Sequence, residues 1–187
     1  MPPIKKILII GSGGAGKSTL AAELGAILGL EVIHLDAHFW SPGWVPTPRP
    51  QWIKTVEKLK SRDAWIMDGH YGSTLEMRLE ASDAVVFLDF PKIICVWRAI
   101  KRRFLNIGVS RPDMAPGCPE RFLHGEFLKF LLWIWRFPRV ESPSVVRRLR
   151  GYSDAKRIII LRRPKDVRRF MEEVRVRGLE GVTPAFL

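Results

Sequence analysis

Ile7-Leu8-Ile9-Ile10 is a short apolar run that stops at a glycine. A run with no polar member predicts a strand buried on both faces. After a glycine-rich break, Thr19 to Leu28 carries apolar residues at helical spacing, and Gly29 supplies a stop. Val32-Ile33-His34-Leu35, Ala64-Trp65-Ile66-Met67, Ala84 to Leu88 and Arg157 to Leu161 predict four more strands. Between them the spacing predicts helices over 49–62, with Trp52, Val56 and Leu59 on one face, and over 74–80, 92–105 and 165–177. Two further amphipathic segments fall at 120–136 and 142–150. Trp40 to Pro50 and Asn106 to Pro119 are broken by prolines and glycines and predict irregular chain. Strands alternating with helices predict an α/β fold: a parallel sheet covered by helices on both faces, with ligands at the carboxyl ends of its strands. At 187 residues and 47% hydrophobic content, residues 1–187 are expected to form one domain.

The break after the first strand is where chemistry enters. Gly11-Ser12-Gly13-Gly14-Ala15-Gly16-Lys17-Ser18 fits G-x-x-x-x-G-K-[ST] between a strand and a helix, followed by Thr19. Glycines let successive backbone N–H groups converge on phosphate oxygens, and the helix N-terminus points its positive end at the same anion. Lys17 is expected to reach the β- and γ-phosphates, and the Ser18 hydroxyl to take one Mg²⁺ position. With no Asn-Lys-x-Asp guanine motif in the chain, ATP is the expected nucleotide.

The other strand ends carry candidate acceptor residues. Asp36 follows the second strand, where it either orients an acceptor hydroxyl or caps a turn. His34 alternates within the strand and reads as structural. His38 divides evenly between substrate contact and structure. Trp40 and Trp44 either stack on a flat substrate or staple their loop to the core. Asp68, ending the third strand, is the first choice for the Mg²⁺-organising carboxylate; Gly69 and Tyr71 follow it toward the substrate. Asp89 reads equally as a cap for the helix after it. Arg98 and Arg102 lie four residues apart on one helical face, with Arg103 beside them, suited to charge on a transferring phosphoryl group. Arg111 and Arg121 fall in a segment, about 104–136, that reads as a lid; about 37–63 reads as an acceptor-binding insert.

Charge alters the picture only in the second half. The net charge is +12, yet residues 1–90 balance at −1 and residues 91–187 at +13. Polyphosphate, nucleic acid and an acidic membrane surface all qualify as partners for such a half. The aromatic stripe at 127–137 is read as core, and with no span of about 20 apolar residues no membrane partner is expected. Cys95 and Cys118 have no metal-ligand or CxxC spacing, which fits free thiols in a reducing cytoplasm.

Taken together, the phosphate loop, His34-Leu35-Asp36, Asp68-Gly69-x-Tyr71, Leu88-Asp89-Phe90-Pro91 and Arg111 to Cys118 resemble the adenylate-kinase-like proteins of the DNA topology modulation (FlaR-type) family. The resemblance spans roughly residues 5–165. It implies a nucleoside-monophosphate-kinase fold, with five parallel strands in the order 2-3-1-4-5. It also implies phosphate-sensing roles for Arg98 and Arg102, and places Arg162 beside the adenine. Adenylate kinases follow the Asp-Gly pair with Phe-Pro-Arg, whereas His70 and Tyr71 stand here, and residues 37–63 hold only Arg49 and Arg62. An acceptor other than AMP is therefore expected for an ATP- and Mg²⁺-dependent phosphotransferase. The rival reading is a nucleotide-dependent regulator that binds nucleic acid.

Overall fold

The computed structural model describes residues 3–109, 111, 113–119 and 125–182. β1 (Lys6–Gly11) leads into α1 (Lys17–Leu28), β2 (Val32–His34), a single helical turn α2 (Leu35–Phe39) and a two-residue-per-strand hairpin, β3 (Trp40–Ser41) and β4 (Val45–Pro46). Then come α3 (Arg49–Lys60), β5 (Trp65–Asp68), α4 (Leu75–Ala81), β6 (Ala84–Leu88), α5 (Lys92–Leu105), α6 (Gly125–Arg150), β7 (Arg157–Leu161) and α7 (Pro164–Arg177).

The main sheet has the order β2-β5-β1-β6-β7, and every pairing in it is parallel. Numbered by the five predicted strands, this is the expected order 2-3-1-4-5. β1 is paired on both edges, and its apolar run Ile7 to Ile10 suits a strand covered on both faces. Its alternation divides the interior in two. Ile7 and Ile9 pack with Leu20, Leu24, Phe170 and Met171 on one face. Leu8 and Ile10 pack with Trp52, Val56, Leu75 and Leu149 on the other.

Local signals explain most of the boundaries. α1 ends at Gly29, whose φ of 67° turns its N–H onto the Gly25 carbonyl at 2.9 Å. α3 starts at Arg49 with Pro50 in its first turn and buries Trp52, Val56 and Leu59, the face expected from the spacing.

Three elements differ from expectation. Strand β2 stops at His34, and Leu35 opens a helical turn instead of ending the strand. The proline-rich stretch after Trp40 contains a hairpin, closed by Trp44 at φ 65°. Residues 125–150 form one helix that passes through Pro138 and Pro143. Each proline removes a helical donor, but Ile134 and Phe137 on one side and Val145 and Leu149 on the other are all buried. Tertiary packing therefore carries the helix across the break. Between the prolines, the Ser142 hydroxyl donates to Asp89 Oδ1 at 2.8 Å, so Asp89 anchors α6 and does not cap α5. The aromatic stripe is also split: Phe130, Ile134 and Phe137 pack inward, while Leu128, Leu132 and Trp135 face solvent.

Candidate active site

The carboxyl ends of β1, β2 and β5 open onto a cleft of about 1510 Å³. Its floor is the glycine-rich loop, of which Gly13 to Thr19 all line the cavity. The loop is clamped from behind. A Cβ on Gly14, whose φ is 72°, would lie 2.2 Å from the Cys95 carbonyl oxygen of α5, so only glycine fits. α1 begins directly after Gly16 with no side-chain cap, which leaves its first N–H groups directed at the cavity. Lys17 donates to the Ser12 carbonyl at 2.9 Å, folded back along the loop. Burial holds its ammonium below the ordinary lysine value, with Asp36 and Asp68 pulling it back up.

Asp68 ends β5, the neighbour of β1, and pairs in register with Ile9. Strand geometry thus puts this buried carboxylate beside the phosphate loop. Its Oδ1 lies 2.7 Å from His34 Nδ1, and that hydrogen bond raises the imidazole above its ordinary value. Asp36 reaches the same cavity from the first turn of α2, and the Tyr71 hydroxyl donates to its Oδ1 at 2.5 Å. The Tyr71 ring lies 4.7 Å from Phe39 and 4.9 Å from Trp52. Burial, and then the Asp36 charge, push its hydroxyl far above the usual tyrosine range, so it remains a donor.

Tyr71 sits at φ 31°, a conformation that costs a non-glycine residue about 1–3 kcal/mol. Arg78 on α4, fully buried, supplies the restraint. It donates to the Gly69 carbonyl at 2.9 Å, to those of His70 and Tyr71 at 2.6 and 2.8 Å, and to Thr74 at 3.2 Å. Burial lowers the guanidinium to about 9, still cationic at neutrality. Gly69 itself is needed for packing, since a Cβ there would meet the Leu35 side chain at 2.9 Å. It also lines the cleft, where the sequence placed it.

From α5, Arg98 and Arg102 both line the cleft, and Arg98 donates to the Ala15 carbonyl at 3.4 Å. Arg103 lines it too, its guanidinium 4.1 Å from the centre of the Phe127 ring. Arg111 lines the opposite rim, paired to Asp113 at 3.0 Å. Arg121 lies outside the described residues. The wall supplied by α6 includes Trp133 and Glu141, and Glu141 Oε2 is 3.4 Å from His70 Nε2. His70, set against Trp133 and Phe137, is lowered to about 4, chiefly by burial, and is neutral at pH 7.

The two inserts meet over the cavity. Gly43 donates its N–H to the Gly117 carbonyl at 2.8 Å, and Trp44 Nε1 donates to Pro119 at 2.9 Å. Met114, Ala115 and Cys118 form a small buried cluster against Trp40 and Trp44. Both tryptophans line the cleft. Their stapling role is visible, though toward the 113–119 segment and not the main core, and both also border the cavity.

Two sequence candidates fall elsewhere. His38 does not line the cleft; it stands two residues beyond Asp36 on a helical turn, about 200° around the axis. Burial lowers it, and Arg62 adds to the effect. Arg162 is exposed at the end of β7, where its N–H and that of Arg163 cap onto Asp166 and turn the chain outward. Pro164, Val167 and Arg168 line the cleft in its place. The residue the sequence reading missed is Arg78. Its signal was available, since Leu75, Arg78 and Leu79 share one helical face and an arginine on an apolar stripe needs buried acceptors.

No family model matches the chain, and no curated protein matches it. Solved structures do. The shikimate kinase of Acinetobacter baumannii, in complex with shikimate, superposes with a TM-score of 0.54 at 19% identity, over 91% of this chain and 90% of that one. A sugar kinase from a Janibacter species gives 0.52 at 19% identity, over 98% and 96%. The shikimate kinase of Aquifex aeolicus gives 0.51 at 17% identity, over 94% and 96%. At such identities the likeness is one of fold: this chain shares the α/β fold of these structures, with its glycine-rich loop after the central strand. The more specific resemblance to the DNA topology modulation family has no counterpart in these comparisons.

Proposed function

We propose that the protein is an ATP- and Mg²⁺-dependent phosphotransferase whose acceptor is a small hydroxyl- or phosphate-bearing molecule other than AMP. One observation carries the reading: a single cavity joins the phosphate loop from Gly13 to Thr19 to the Asp36–Tyr71 pair, with Arg98 and Arg102 lining it as well. The kinase fold of the superposed structures supports it, as does the small-molecule acceptor named in two of their descriptions.

The residues present suit the nucleotide. The uncapped N-terminus of α1, the glycine backbone and Lys17 offer donors to polyphosphate oxygens, and Pro164, Val167 and Arg168 border the side of the cavity left for the base. Ser18 and Asp68 present the hard oxygen donors that Mg²⁺ prefers, one hydroxyl and one carboxylate, which is enough when phosphates and waters complete the shell. ATP·Mg²⁺, when bound, supplies the phosphoryl group and neutralises part of its charge. Lys17 holds the transferring end in place, and Arg98 and Arg102 stabilise the charge spread over it. Asp36 accepts a hydrogen bond from the acceptor hydroxyl and orients it for in-line attack. Tyr71 fixes which way Asp36 faces. Trp40, Trp44 and Arg111 close the acceptor side.

The test is phosphate transfer from ATP across a panel of sugars, polyols, hydroxy acids and nucleosides, with Lys17→Ala as control. The reading expects turnover on a subset and a loss of at least a thousandfold in the variant, a scale of about 4 kcal/mol. Absence of transfer above background ATP hydrolysis across the panel would overturn it. Tight duplex-DNA binding whose affinity falls steeply with salt would then favour the regulatory reading instead.

A further inference from the structure

We propose that the outward faces of α5 and α6 form a docking surface for an anionic lipid bilayer. Ile93, Trp97, Leu128, Leu132 and Trp135 are between 47% and 68% exposed. On α5, 93 and 97 share a face, and on α6, 128, 132 and 135 recur at the same helical spacing. The two faces are joined into one patch. Lys92, at the start of α5, lies 3.6 Å from the ring centre of Trp135 toward the middle of α6, and Arg103, near the end of α5, lies 4.1 Å from Phe127 near the start of α6. The helices are therefore antiparallel neighbours, and their outward apolar side chains lie side by side.

The charge on this patch selects its partner. Lys92, Lys101, Lys129, Arg136 and Arg139 stand on it or at its margin. α5 contains no acidic residue, and α6 up to Val140 contains only Glu126, which is bound to Lys129 at 2.7 Å. A second copy of the chain across a two-fold axis would oppose these cations with the same cations. Nucleic acid would satisfy the cations but leave large aliphatic and indole side chains without an apolar partner. An anionic bilayer takes both, with apolar side chains at the acyl boundary and cations among the headgroups. Lys101 lies 5.0 Å from the Trp97 ring as Lys92 does on Trp135. In each pair the ammonium lies over the indole face, so cation and large apolar ring sit together at the same point of the surface, as at a bilayer interface. Among the described residues no helix is long and apolar enough to cross a membrane, so contact would be with the surface alone. The inner faces of the same helices carry Arg98, Arg102 and Trp133 into the cleft, which leaves the cavity accessible when the outer faces are covered.

The experiment is sedimentation of the full-length protein with vesicles of phosphatidylglycerol and phosphatidylcholine, or of phosphatidylcholine alone, near physiological salt. Binding is expected to the anionic vesicles only. Both Trp97→Ser/Trp135→Ser and Lys101→Glu/Arg139→Glu should weaken it at least tenfold while leaving thermal midpoint and ATP turnover unchanged. The second pair serves if the first folds poorly. Three results would each overturn the proposal: no binding to anionic vesicles, binding that both variants retain, or a concentration-dependent dimer or a duplex-DNA complex that the same variants abolish without vesicle binding.

Discussion

Arg78 offers the sharpest test of how the acceptor loop is held. Among the described residues its guanidinium is the only group donating to the carbonyls of Gly69 and His70, and it also reaches Tyr71 and Thr74. Four charge-assisted bonds at about 1.5 kcal/mol each give roughly 6 kcal/mol of gross attraction. Burying an unpaired cation costs several kcal/mol in return. Replacing Arg78 by Met removes both contributions but leaves two buried carbonyls, those of Gly69 and His70, without a donor, while Tyr71 keeps its bond from Thr74 N–H, for a net loss of about 3 kcal/mol. The cost should fall on the 69–71 segment, where Tyr71 is strained, before it falls on the fold. Equilibrium unfolding in urea should show this loss for Arg78→Met, with Arg78→Lys intermediate. Acceptor KM should rise at least tenfold while ATP KM changes less than threefold, because the phosphate loop is on β1 and not on this segment. A variant within about 0.5 kcal/mol of the parent, or one whose two KM values rise together, would refute the reasoning.

Tyr71→Phe keeps the ring stack on Phe39 and Trp52 but frees Asp36, so kcat should fall about tenfold to a hundredfold with stability nearly unchanged; steady-state kinetics and a thermal melt decide it. Gly14→Ala forces a Cβ against the Cys95 carbonyl at positive φ and should cost about 2–4 kcal/mol together with nucleotide binding, read by calorimetry with ATP. The Asp166 carboxyl is raised by burial but lowered further by the Arg163 side chain and by the N–H groups of Arg162 and Arg163, so its folded value lies below its ordinary 3.8. Its contribution is complete above that value and lost as pH falls through the folded one, so Asp166→Asn should flatten the acid limb of stability below pH 4. Burial pushes the Cys95 thiol up, and it should resist alkylation at pH 8 until the protein is unfolded, as mass spectrometry of labelled peptides would show.

The sheet was legible because its strands are short, nearly unbroken apolar runs, and a run buried on both faces leaves few alternatives. The phosphate loop was legible because glycine spacing encodes backbone geometry directly. α6 was not, because Pro138 and Pro143 are local stop signals, and only contacts with distant residues such as Asp89 overrule them. Asp36 was favoured as an acceptor residue and His38 left evenly divided; the unforeseen turn at Leu35 brings Asp36 to the cleft and leaves His38 off it. Arg162 was placed from the fold's usual pattern, and the Asp166 cap redirects the chain just there. Trp40 and Trp44 could not be resolved by sequence because their partners lie about 75 residues on.

The clasp between residues 40–46 and 111–119 has a consequence for engineering. The hairpin and the distant segment share one backbone hydrogen bond, two bonds from side chains to backbone and one small apolar cluster, so neither is an independent module. Grafting here the hairpin of another protein of this fold, to borrow its ligand preference, would strand Met114 and Cys118 without their tryptophans. A working transplant must carry both segments as a matched pair, and insertions tolerated in one should require compensating changes in the other.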